Sequence, residues 1–316
     1  MHKKEQRVEE ILQQFYEKKQ VLVTGGAGFI GSHLVEKLVA LGARVTVLDN
    51  FSSGNLTNLK TVVSAINLLY ADIRSPYSCL KATTQQEIVF HLAAFVSVPE
   101  SIIYPDVCKL VNTQGTYHLL DAAAKNGVKR LILSSSSAVY GDTNRICQED
   151  HLPNPMSPYA ESKLEAEQLC KEFSEKTNLN TTCLRYFNVF GERQNPHGSY
   201  AAVVAKFTHL LQAGQPITIF GDGQQTRDFI NVSKAVEANL LAGISQSKGN
   251  SIFNIGSGQS ISLLTLLRQL EEQLAIKNKG ISFLPARQGD ILHSQAHCEK
   301  FSDFVQNLIG QQAKTC

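Results

Sequence analysis

A tyrosine and a lysine stand four residues apart in the stretch SPYAESKLEAEQL, residues 157–169. Four residues are just over one helical turn, so Tyr159 and Lys163 lie on one face of the helix that this stretch predicts. A free tyrosine has a pKa of about 10, which is too high for a base at neutral pH. A neighbouring ammonium favours the phenolate, so Lys163 could make Tyr159 a usable general base. Taken alone, such a pair is more often a surface feature of a helix.

A run of serines gives this pair chemical context. The stretch SSSSAVYG, residues 134–141, ends a strand that is predicted to lie next to the helix carrying Tyr159. In a doubly wound sheet, ligands bind beyond the carboxyl ends of the strands. A serine at that edge could share the proton of a substrate hydroxyl, and the three side chains together would serve base-assisted hydride transfer from a carbinol.

A glycine-rich turn indicates the cofactor for that chemistry. The stretch TGGAGFIGSHL follows the first predicted strand and has the spacing G-x-G-x-x-G at Gly26, Gly28 and Gly31, with Gly25 as an additional glycine. Glycines let the backbone approach a pyrophosphate at a helix N-terminus. The second strand ends in Asp49, where an acid accepts the adenosine ribose hydroxyls and repels a 2′-phosphate, so NAD is favoured over NADP.

The third predicted strand also ends in an acid. Asp72 is an adenine-edge partner of the cofactor on one interpretation, and on the other it is a turn residue that ends the strand.

The elements that must position these residues alternate between strands and helices. Strands are predicted at 20–25, 44–49, 66–72, 87–94, 129–136 and 181–188, and helices at 31–42, about 111–127 and from 157 onward. Such alternation indicates βαβ units with right-handed crossovers. We therefore expect an α/β protein with a Rossmann-type doubly wound parallel sheet.

Beyond about residue 188 the composition becomes rich in Gly, Asn, Pro and charge, as in GERQNPHGSY and FGDGQQTRDF. This predicts a smaller, discontinuous C-terminal substrate lobe, with a strand near 251–258 that returns to the main sheet. The expected domains are a helical extension at 1–19, an NAD-binding domain at 20–188 and a lobe that occupies most of 189–316.

Bulk composition excludes several functional classes. The chain has 316 residues, 43% hydrophobic and 18% charged, with a net charge of +2, which gives no electrostatic footprint for nucleic acid or an anionic membrane. Residues 1–19 alternate in charge and predict an exposed helix, and no stretch predicts a transmembrane helix. Seven scattered cysteines without a CxxC pair predict reduced thiols, a cytosolic protein and no metal site.

Eight short motifs carry a resemblance to a known family. TGGAGFIG, DN, AD, HLAA, SSSSAVYG, YAESK, RYFNVFG and TRDF occur in the order seen in extended short-chain dehydrogenases/reductases that act on nucleotide sugars. From about residue 20 to about 298 the chain resembles this family. Within it, the chain looks most like the UDP-hexose 4-epimerases, especially those that take UDP-N-acetylglucosamine.

The resemblance implies roles around the cofactor. Tyr159 is the base, Lys163 is its activator and a ribose ligand, and Ser136, flanked by Ser135 and Ser137, is the third catalytic member. Asn112 matches a residue that supports the active-site helix, and Tyr186 one that lies near the nicotinamide. The implied contacts of NAD also include Gly25, Gly28, Phe29, Ile30, Gly31, Asp49, Asn50, Asp72, Ile73 and Ala93.

The resemblance also implies a UDP site. Asn188, Arg227 and Arg287 match positions that hold UDP, and the planar fork of arginine suits a diphosphate, although a surface salt bridge is the alternative for either arginine. Phe220 packs on the uracil or, equally well, in a core.

The sugar pocket is implied by a Gly-Asp pair. In epimerases of this family the residue four after its aspartate faces the sugar C2 group, and Asp290 plus four gives Ser294. A small residue there leaves room for an N-acetyl group, and Ser97 borders the same space.

The residues after Ser136 separate the reactions of the family. Dehydratases typically carry Thr-Asp-Glu at this place, and decarboxylases a nearby glutamate, whereas this chain reads Ser136-Ser137-Ala138. The resemblance therefore implies 4-epimerisation through a 4-keto sugar, with NAD retained between turnovers. The alternatives are a nucleotide-sugar 4,6-dehydratase, a UDP-glucuronate decarboxylase or a non-enzymatic NAD-binding scaffold, although a scaffold usually loses the tyrosine or the lysine.

The chain departs from the family in a few places. Ser233 and His297 stand where aspartates are common, and the segment after Lys300 resembles a short substitute for the usual acidic C-terminal helix. The helices at about 102–125 and 155–173 carry apolar stripes. In the family these helices pair across a twofold axis, so we expect a homodimer.

Overall fold

A computed structural model describes residues 2–143, 145–196, 202–286 and 291–312. The strands are β1 (Gln20–Thr24), β2 (Arg44–Asp49), β3 (Ile66–Tyr70), β4 (Ile88–His91), β5 (Arg130–Ser136), β6 (Asn180–Tyr186), β7 (Asn188–Phe190), β8 (Ile217–Phe220), β9 (Thr226–Asn231), β10 (Asn250–Ile255), β11 (Ser260–Ser262) and β12 (Ile281–Leu284). The helices are α1 (His2–Tyr16), α2 (Phe29–Ala40), α3 (Pro76–Thr83), α4 (Val98–Ile103), α5 (Pro105–Lys109), α6 (Gly115–Lys125), α7 (Pro158–Lys176), α8 (Val203–Gln212), α9 (Val232–Gly243), α10 (Leu263–Leu274) and α11 (Glu299–Gln312). A π-helical turn, Leu110–Gln114, joins α5 to α6.

Seven strands form a parallel sheet in the order β10-β6-β5-β4-β1-β2-β3. The chain leaves β1 toward β2 on one side and reaches β4 on the other, so the strand order reverses between β1 and β4. The carboxyl ends of the strands on either side of this reversal open the crevice in which doubly wound sheets bind ligands. The predicted Rossmann-type fold is confirmed, and the strand expected near 251–258 returns to the sheet as β10.

The central strands are buried on both faces. All four residues of β4 and four of the five in β1 are buried, as expected for parallel strands covered by helices on each side. Their positions are therefore fixed by packing above and below, and the loops at their carboxyl ends inherit that rigidity.

The helix α7 begins at a well-defined cap. Ser157 Oγ accepts a hydrogen bond from Ala160 N at 3.2 Å, and Pro158 occupies the first turn. A serine cap followed by proline is a strong helix start. It places Tyr159 in the first turn of α7, at the edge where the strands end.

The N-terminal helix is present, but the prediction that it is exposed is wrong. Val8, Ile11, Leu12 and Tyr16 of α1 are buried in the main core, and Tyr16 Oη donates to the carbonyl of Leu240 on α9 at 2.8 Å. These positions recur at helical spacing and form an apolar stripe. The alternating charges mark the other face only, and α1 packs on the core with its stripe.

The C-terminal lobe has its own small core. The strands β7, β9 and β11 form one small sheet, and β8 pairs with β12. The apolar faces of α8 and α10 meet beside β8, with Phe207, Leu211, Ile217 and Leu267 buried between them. The segment after Lys300, which resembles a short substitute for the usual C-terminal helix, forms α11, and its Phe301 and Phe304 rings pack against Phe253 of β10.

The burial of α1 predicts a stability effect. Leu12→Ala deletes a side chain that is 2% exposed, so the free energy of unfolding should fall by about 2–5 kcal/mol. Urea unfolding would measure it, with Gln14→Ala on the exposed face of α1 as the matched control. A Leu12→Ala protein as stable as the control would restore the interpretation of α1 as an exposed extension.

Candidate active site

The glycine turn between β1 and α2 is closely packed. Gly25 has a φ of +69°, and a Cβ there would lie 2.6 Å from the backbone nitrogen of Ala93. A Cβ on Gly31 would overlap the carbonyl oxygen of Gly25. Only glycine meets both requirements, since it has no side chain and tolerates positive φ. The turn can therefore approach the end of β4 closely.

The beginning of α2 suits a diphosphate. Gly28 is the N-cap residue and offers no side-chain hydrogen bond, and the first turn carries no acidic residue. The backbone N–H groups of Phe29, Ile30 and Gly31 lie in that turn, where the helix dipole also favours an anion. The loop and the helix start thus fit the pyrophosphate of a dinucleotide.

Asp49 ties the glycine turn to the loop that follows β2. Its Oδ2 accepts from Ala27 N and its Oδ1 from Phe51 N, both at 2.8 Å. The carboxylate is 6% exposed and keeps further acceptor positions on its oxygens. It can therefore hold the loop and still accept the hydroxyls of a ribose.

Asp72 does form the turn at the end of β3. Its side chain accepts from the Arg74 guanidinium and from Arg74 N, and Oδ2 accepts from Asn50 Nδ2 at 2.8 Å. The Arg74 hydrogen bonds lower the pKa of Asp72 to about 2, against the opposing effect of burial. Asp72 is thus charged at neutral pH and fixes Asn50, whichever interpretation of its role holds.

Two further residues of the cofactor set pack beside this loop. The side chain of Ile73 is buried and lies directly under Gly115. Ala93 N donates to Thr24 Oγ1 at 3.3 Å, which joins the ends of β4 and β1.

The structure brings Ser136, Tyr159 and Lys163 together. The Ser136 side chain lies close enough to the Tyr159 phenol to lower its pKa. Lys163 Nζ lies 5.9 Å from the centroid of the Tyr159 ring and donates to the Ser134 carbonyl at 2.9 Å. Ser135 points to the other face of β5, toward α7, as alternation along a strand requires. Of these two neighbouring serines, Ser136 is therefore the one that contacts Tyr159.

Burial shifts the pKa values of both Tyr159 and Lys163. Burial raises the pKa of Tyr159, and Ser136 only partly offsets this. Burial also lowers the pKa of Lys163 to about 8. Desolvation is the largest influence on the Tyr159 pKa, and the Lys163 ammonium is directed at the Ser134 carbonyl, so the activation of Tyr159 by Lys163 stays a prediction. The phenol is therefore neutral at neutral pH.

The π-helical turn supports α7 from the side. Asn112 Oδ1 accepts from Phe95 N at 2.7 Å, and its Nδ2 donates to Phe95 O at 3.0 Å and to Ser162 Oγ at 2.9 Å. Such π-turns are frequent at functional sites. Tyr159 N also donates to Ser101 Oγ at 3.1 Å. These bonds hold the first turns of α7 in place, as the resemblance implies for Asn112.

Tyr186 lies next to Ser136 on the neighbouring strand. The two residues are paired in the register of β5 and β6, and Tyr186 Oη lies 3.2 Å from Ser134 Oγ and accepts from Asn239 Nδ2 at 2.7 Å. Burial raises its pKa to about 12, so it stays neutral.

The residues expected to hold UDP line β7, β8 and β9. Asn188 Nδ2 donates to Asp228 O at 3.0 Å, and Arg227 Nη1 donates to the carbonyls of Thr226 and Leu292. The Phe220 ring is partly buried, with Lys206 Nζ 6.0 Å from its centroid.

The residues expected in the sugar pocket differ in their burial and their hydrogen bonds. Ser294 is buried, at 8% exposure. Ser97 is the N-cap of α4 and accepts from Glu100 N at 3.2 Å, which gives it a structural role. Arg287 and Asp290 lie outside the described residues. Within the described ranges, no three His, Cys, Asp or Glu side chains come together as metal ligands would.

Sequence reasoning missed a buried ion pair beneath the site. Arg185 of β6 and Glu167 of α7 are each 3% exposed, and their closest atoms are 2.7 Å apart. The signal was available, because Glu167 follows Lys163 by the same four residues that separate Lys163 from Tyr159.

Comparison with known proteins agrees with this geometry. The sequence model of the NAD dependent epimerase/dehydratase family matches residues 21–256. The chain belongs to the NAD-dependent epimerase/dehydratase family. NAD, as predicted, is the cofactor of this family.

The proteins similar to this chain catalyse more than one reaction. The UDP-glucose 4-epimerase of Mycolicibacterium smegmatis is 37% identical over 281 residues, which cover 87% of this chain and 89% of the relative. The UDP-N-acetyl-alpha-D-glucosaminuronate decarboxylase of Bacillus cytotoxicus is 33% identical and covers 89% and 92%. A solved UDP-N-acetylglucosamine 4-epimerase from Methanobrevibacter ruminantium M1, in complex with UDP-N-acetylmuramic acid, has a TM-score of 0.87 at 37% identity, and the match covers 91% of this chain and 92% of that one.

None of the helices in the described ranges has the length and apolarity needed to cross a membrane.

Proposed function

We propose that the protein is a UDP-sugar 4-epimerase that interconverts UDP-N-acetylglucosamine and UDP-N-acetylgalactosamine, with UDP-glucose and UDP-galactose as poorer or comparable substrates. The observation that carries this proposal is the contact of Ser136 with Tyr159 above Lys163, in a strand end that continues as Ser137-Ala138 without a carboxylate. Elimination or decarboxylation needs an added acid or base at this place, whereas moving a hydride off a carbinol and back does not.

The chain holds its ligands with residues from both parts of the fold. The glycine turn, the first N–H groups of α2 and Asp49 would hold the NAD diphosphate and adenosine ribose. Lys163 would contact the second ribose. Asn188, Arg227 and Arg287 would bind UDP, with Phe220 against the uracil and Asp290, Ser294 and Ser97 bordering the sugar.

The catalytic side chains would move the proton of the sugar 4-hydroxyl. NAD, when bound, supplies the hydride acceptor for this chemistry. Tyr159 would take the hydroxyl proton as it leaves, and Ser136, which lies beside the phenol, would share it. After the 4-keto sugar turns over, the same phenol returns the proton on the other face.

Tyr159 needs help to act as this base. Burial keeps the phenol neutral as the structure stands, so a positive charge must offset the desolvation. Lys163 supplies one while it is protonated, which its pKa of about 8 allows at neutral pH. A cationic ring bound beside the phenol would add to this effect.

A second candidate is decarboxylation of a UDP-uronate. The decarboxylase of Bacillus cytotoxicus, 33% identical over most of both chains, favours it. Incubation with UDP-N-acetylglucosaminuronate would separate the candidates, since a decarboxylase releases CO₂ and a 4-epimerase does not.

We also propose a homodimer. Large apolar side chains between the start of α4 and the end of α6 are 40–59% exposed: Ile102, Ile103, Tyr104, Val107, Leu110 and Tyr117. A groove of about 600 Å³ runs between Tyr117 and Leu169 of α7. An apolar surface of this kind, next to a helix that resembles the pairing helix of the family, suits a second copy of the chain.

The assay for the proposed activity uses purified protein and UDP-N-acetylglucosamine without added NAD. A C4 epimer should accumulate, and Tyr159→Phe should lower kcat by about 10²- to 10⁴-fold because it deletes the proton acceptor and keeps the ring. Tyr77→Phe, at an exposed tyrosine of α3, is the control. A Tyr159→Phe enzyme within a few-fold of wild type would show that another residue is the base, and a need for added reductant would exclude epimerisation.

The sugar pocket gives a second prediction. Ser294→Tyr should block the acetamido sugars by steric overlap and spare the plain hexoses, whereas Ser294→Ala should retain both. The values of kcat/KM for both sugar pairs in the three proteins measure this. An unchanged ratio between the pairs in Ser294→Tyr would remove Ser294 from the pocket.

The dimer is tested by light scattering at micromolar protein. The wild type should have twice the mass of the 34.8 kDa chain, and Leu110→Glu should be a monomer because it places a charge in the apolar surface. Val63→Glu, at another exposed apolar residue, should not change the mass. A monomeric wild type would mean that the apolar stripes serve one chain only.

A further inference from the structure

One buried carboxylate beneath the catalytic residues has no part in the proton chemistry. Glu167 lies on α7, and its four-residue step from Lys163 repeats the step from Tyr159 to Lys163, so the three side chains share one face. Ser135 Oγ donates to Glu167 Oε1 at 2.6 Å. Arg185 donates to the same oxygen from Nε at 2.9 Å and to Oε2 from Nη2 at 2.7 Å. The carboxylate thus accepts three hydrogen bonds from donors on two strands.

These bonds join three elements of the active site. Ser135 belongs to β5, Arg185 to β6 and Glu167 to α7. Ser136 follows Ser135 at the carboxyl end of β5, where the Tyr159 phenol approaches it. A shift of Ser135 along or away from α7 would therefore move the Ser136 hydroxyl relative to the Tyr159 phenol.

Arg185, the ion-pair partner of Glu167, has two further contacts. The Arg185 guanidinium carbon lies 4.8 Å from the centroid of the Tyr140 ring, and Nη1 donates to Glu149 O at 3.4 Å. Burying an ion pair gives little net stability compared with an apolar pair of the same size. Its fixed two-pronged geometry is a better account of its presence.

We propose that Glu167 is a positioning residue of this active site: it ties the end of β5 that presents Ser136 to the helix that presents Tyr159 and Lys163, and its charge faces the Lys163 ammonium. The proposal rests on the proposed function for the roles of Tyr159 and Lys163.

Four titratable groups surround Lys163. Glu167 and Tyr159 face it from α7, Cys108 from α5 and His91 from β4. Burial keeps His91 neutral with a pKa of about 3, and burial raises the pKa of the Cys108 thiol. Burial is the largest effect on the pKa of Lys163, and Cys108 and then Glu167, which is paired with the Arg185 guanidinium, raise that pKa against it.

The hydrogen bond is tested by Ser135→Ala. This change removes the donor from β5 and leaves both Arg185 bonds to Glu167 intact, so the ion pair and the fold should persist. We expect kcat with UDP-N-acetylglucosamine to fall about tenfold at nearly constant KM and melting temperature, since a small misplacement of a catalytic group has such effects. A kcat within about twofold of wild type contradicts the positioning role of Ser135 and Glu167.

The charge is tested by Glu167→Gln combined with Arg185→Met. Removing both charges avoids an unpaired buried guanidinium, which Glu167→Gln alone would leave. The amide oxygen that replaces the carboxylate can still accept from Ser135. The alkaline limb of the kcat–pH profile should move to lower pH, because Lys163 loses its proton earlier without the facing anion. Ser135→Ala should leave that limb in place, and Glu172→Gln, at an exposed carboxylate of α7, is the control.

A readout independent of turnover separates this proposal from the proposed function. The ¹³Cε NMR signal of Lys163, identified by its loss in Lys163→Met, should titrate at lower pH in the doubly neutral variant than in wild type or Glu172→Gln. An unchanged Lys163 titration overturns the electrostatic part of the proposal. If wild type epimerises no UDP-sugar, the function fails while this titration still decides the role of Glu167.

Discussion

Desolvation of one face of α7 is the constraint on which the chemistry of this protein depends. Tyr159 and Lys163 lie on that face against the carboxyl ends of β5 and β6, and burial pushes each toward its neutral form, raising the pKa of the phenol and lowering that of the ammonium to about 8. Low surrounding polarity makes each remaining charge count for more. A positive charge near the phenol would therefore lower its pKa and oppose the effect of burial, and the Glu167–Arg185 pair joins the same helix to β6.

The parallel sheet fixes the relative positions of the residues in the site. Because β1, β4, β5 and β6 are parallel and adjacent, their carboxyl ends deliver the glycine turn, Ala93, Ser136 and Tyr186 to one edge. The contacts across that edge are short: Gly25 lies against the backbone of Ala93, and Tyr186 is paired with Ser136 in the strand register. Close-packed neighbours of this kind leave little room for movement, so nucleotide and catalytic groups keep a fixed relation.

Much of this could be predicted from the sequence, and the omissions have a common cause. Strand alternation predicted the doubly wound sheet, and spacing alone put Tyr159 beside Lys163. The direction of the Tyr159 pKa shift could not be predicted, because desolvation depends on what covers the phenol. The burial of α1 was missed for a related reason: its apolar stripe is visible at residues 8, 11, 12 and 16, but the surface of α9 that receives it is more than 200 residues away in the chain. A strand pattern also says that Ser135 and Ser136 face opposite sides without saying which side holds Tyr159.

The segment that carries Ser294 is held by hydrogen bonds on both sides of that residue. Leu292 N donates to Asp142 Oδ1 at 3.0 Å on the side of the large domain, and Thr226 N donates to Leu292 O at 2.9 Å from the lobe. Two residues after Ser294, Ala296 N donates to the buried carboxylate of Asp228 at 3.0 Å. Ser294 is thus bracketed by backbone bonds to both parts of the molecule. These bonds restrain the backbone on both sides of Ser294, so on the proposed function the side chain at this position, more than movement of the loop, would decide whether an acetamido group fits.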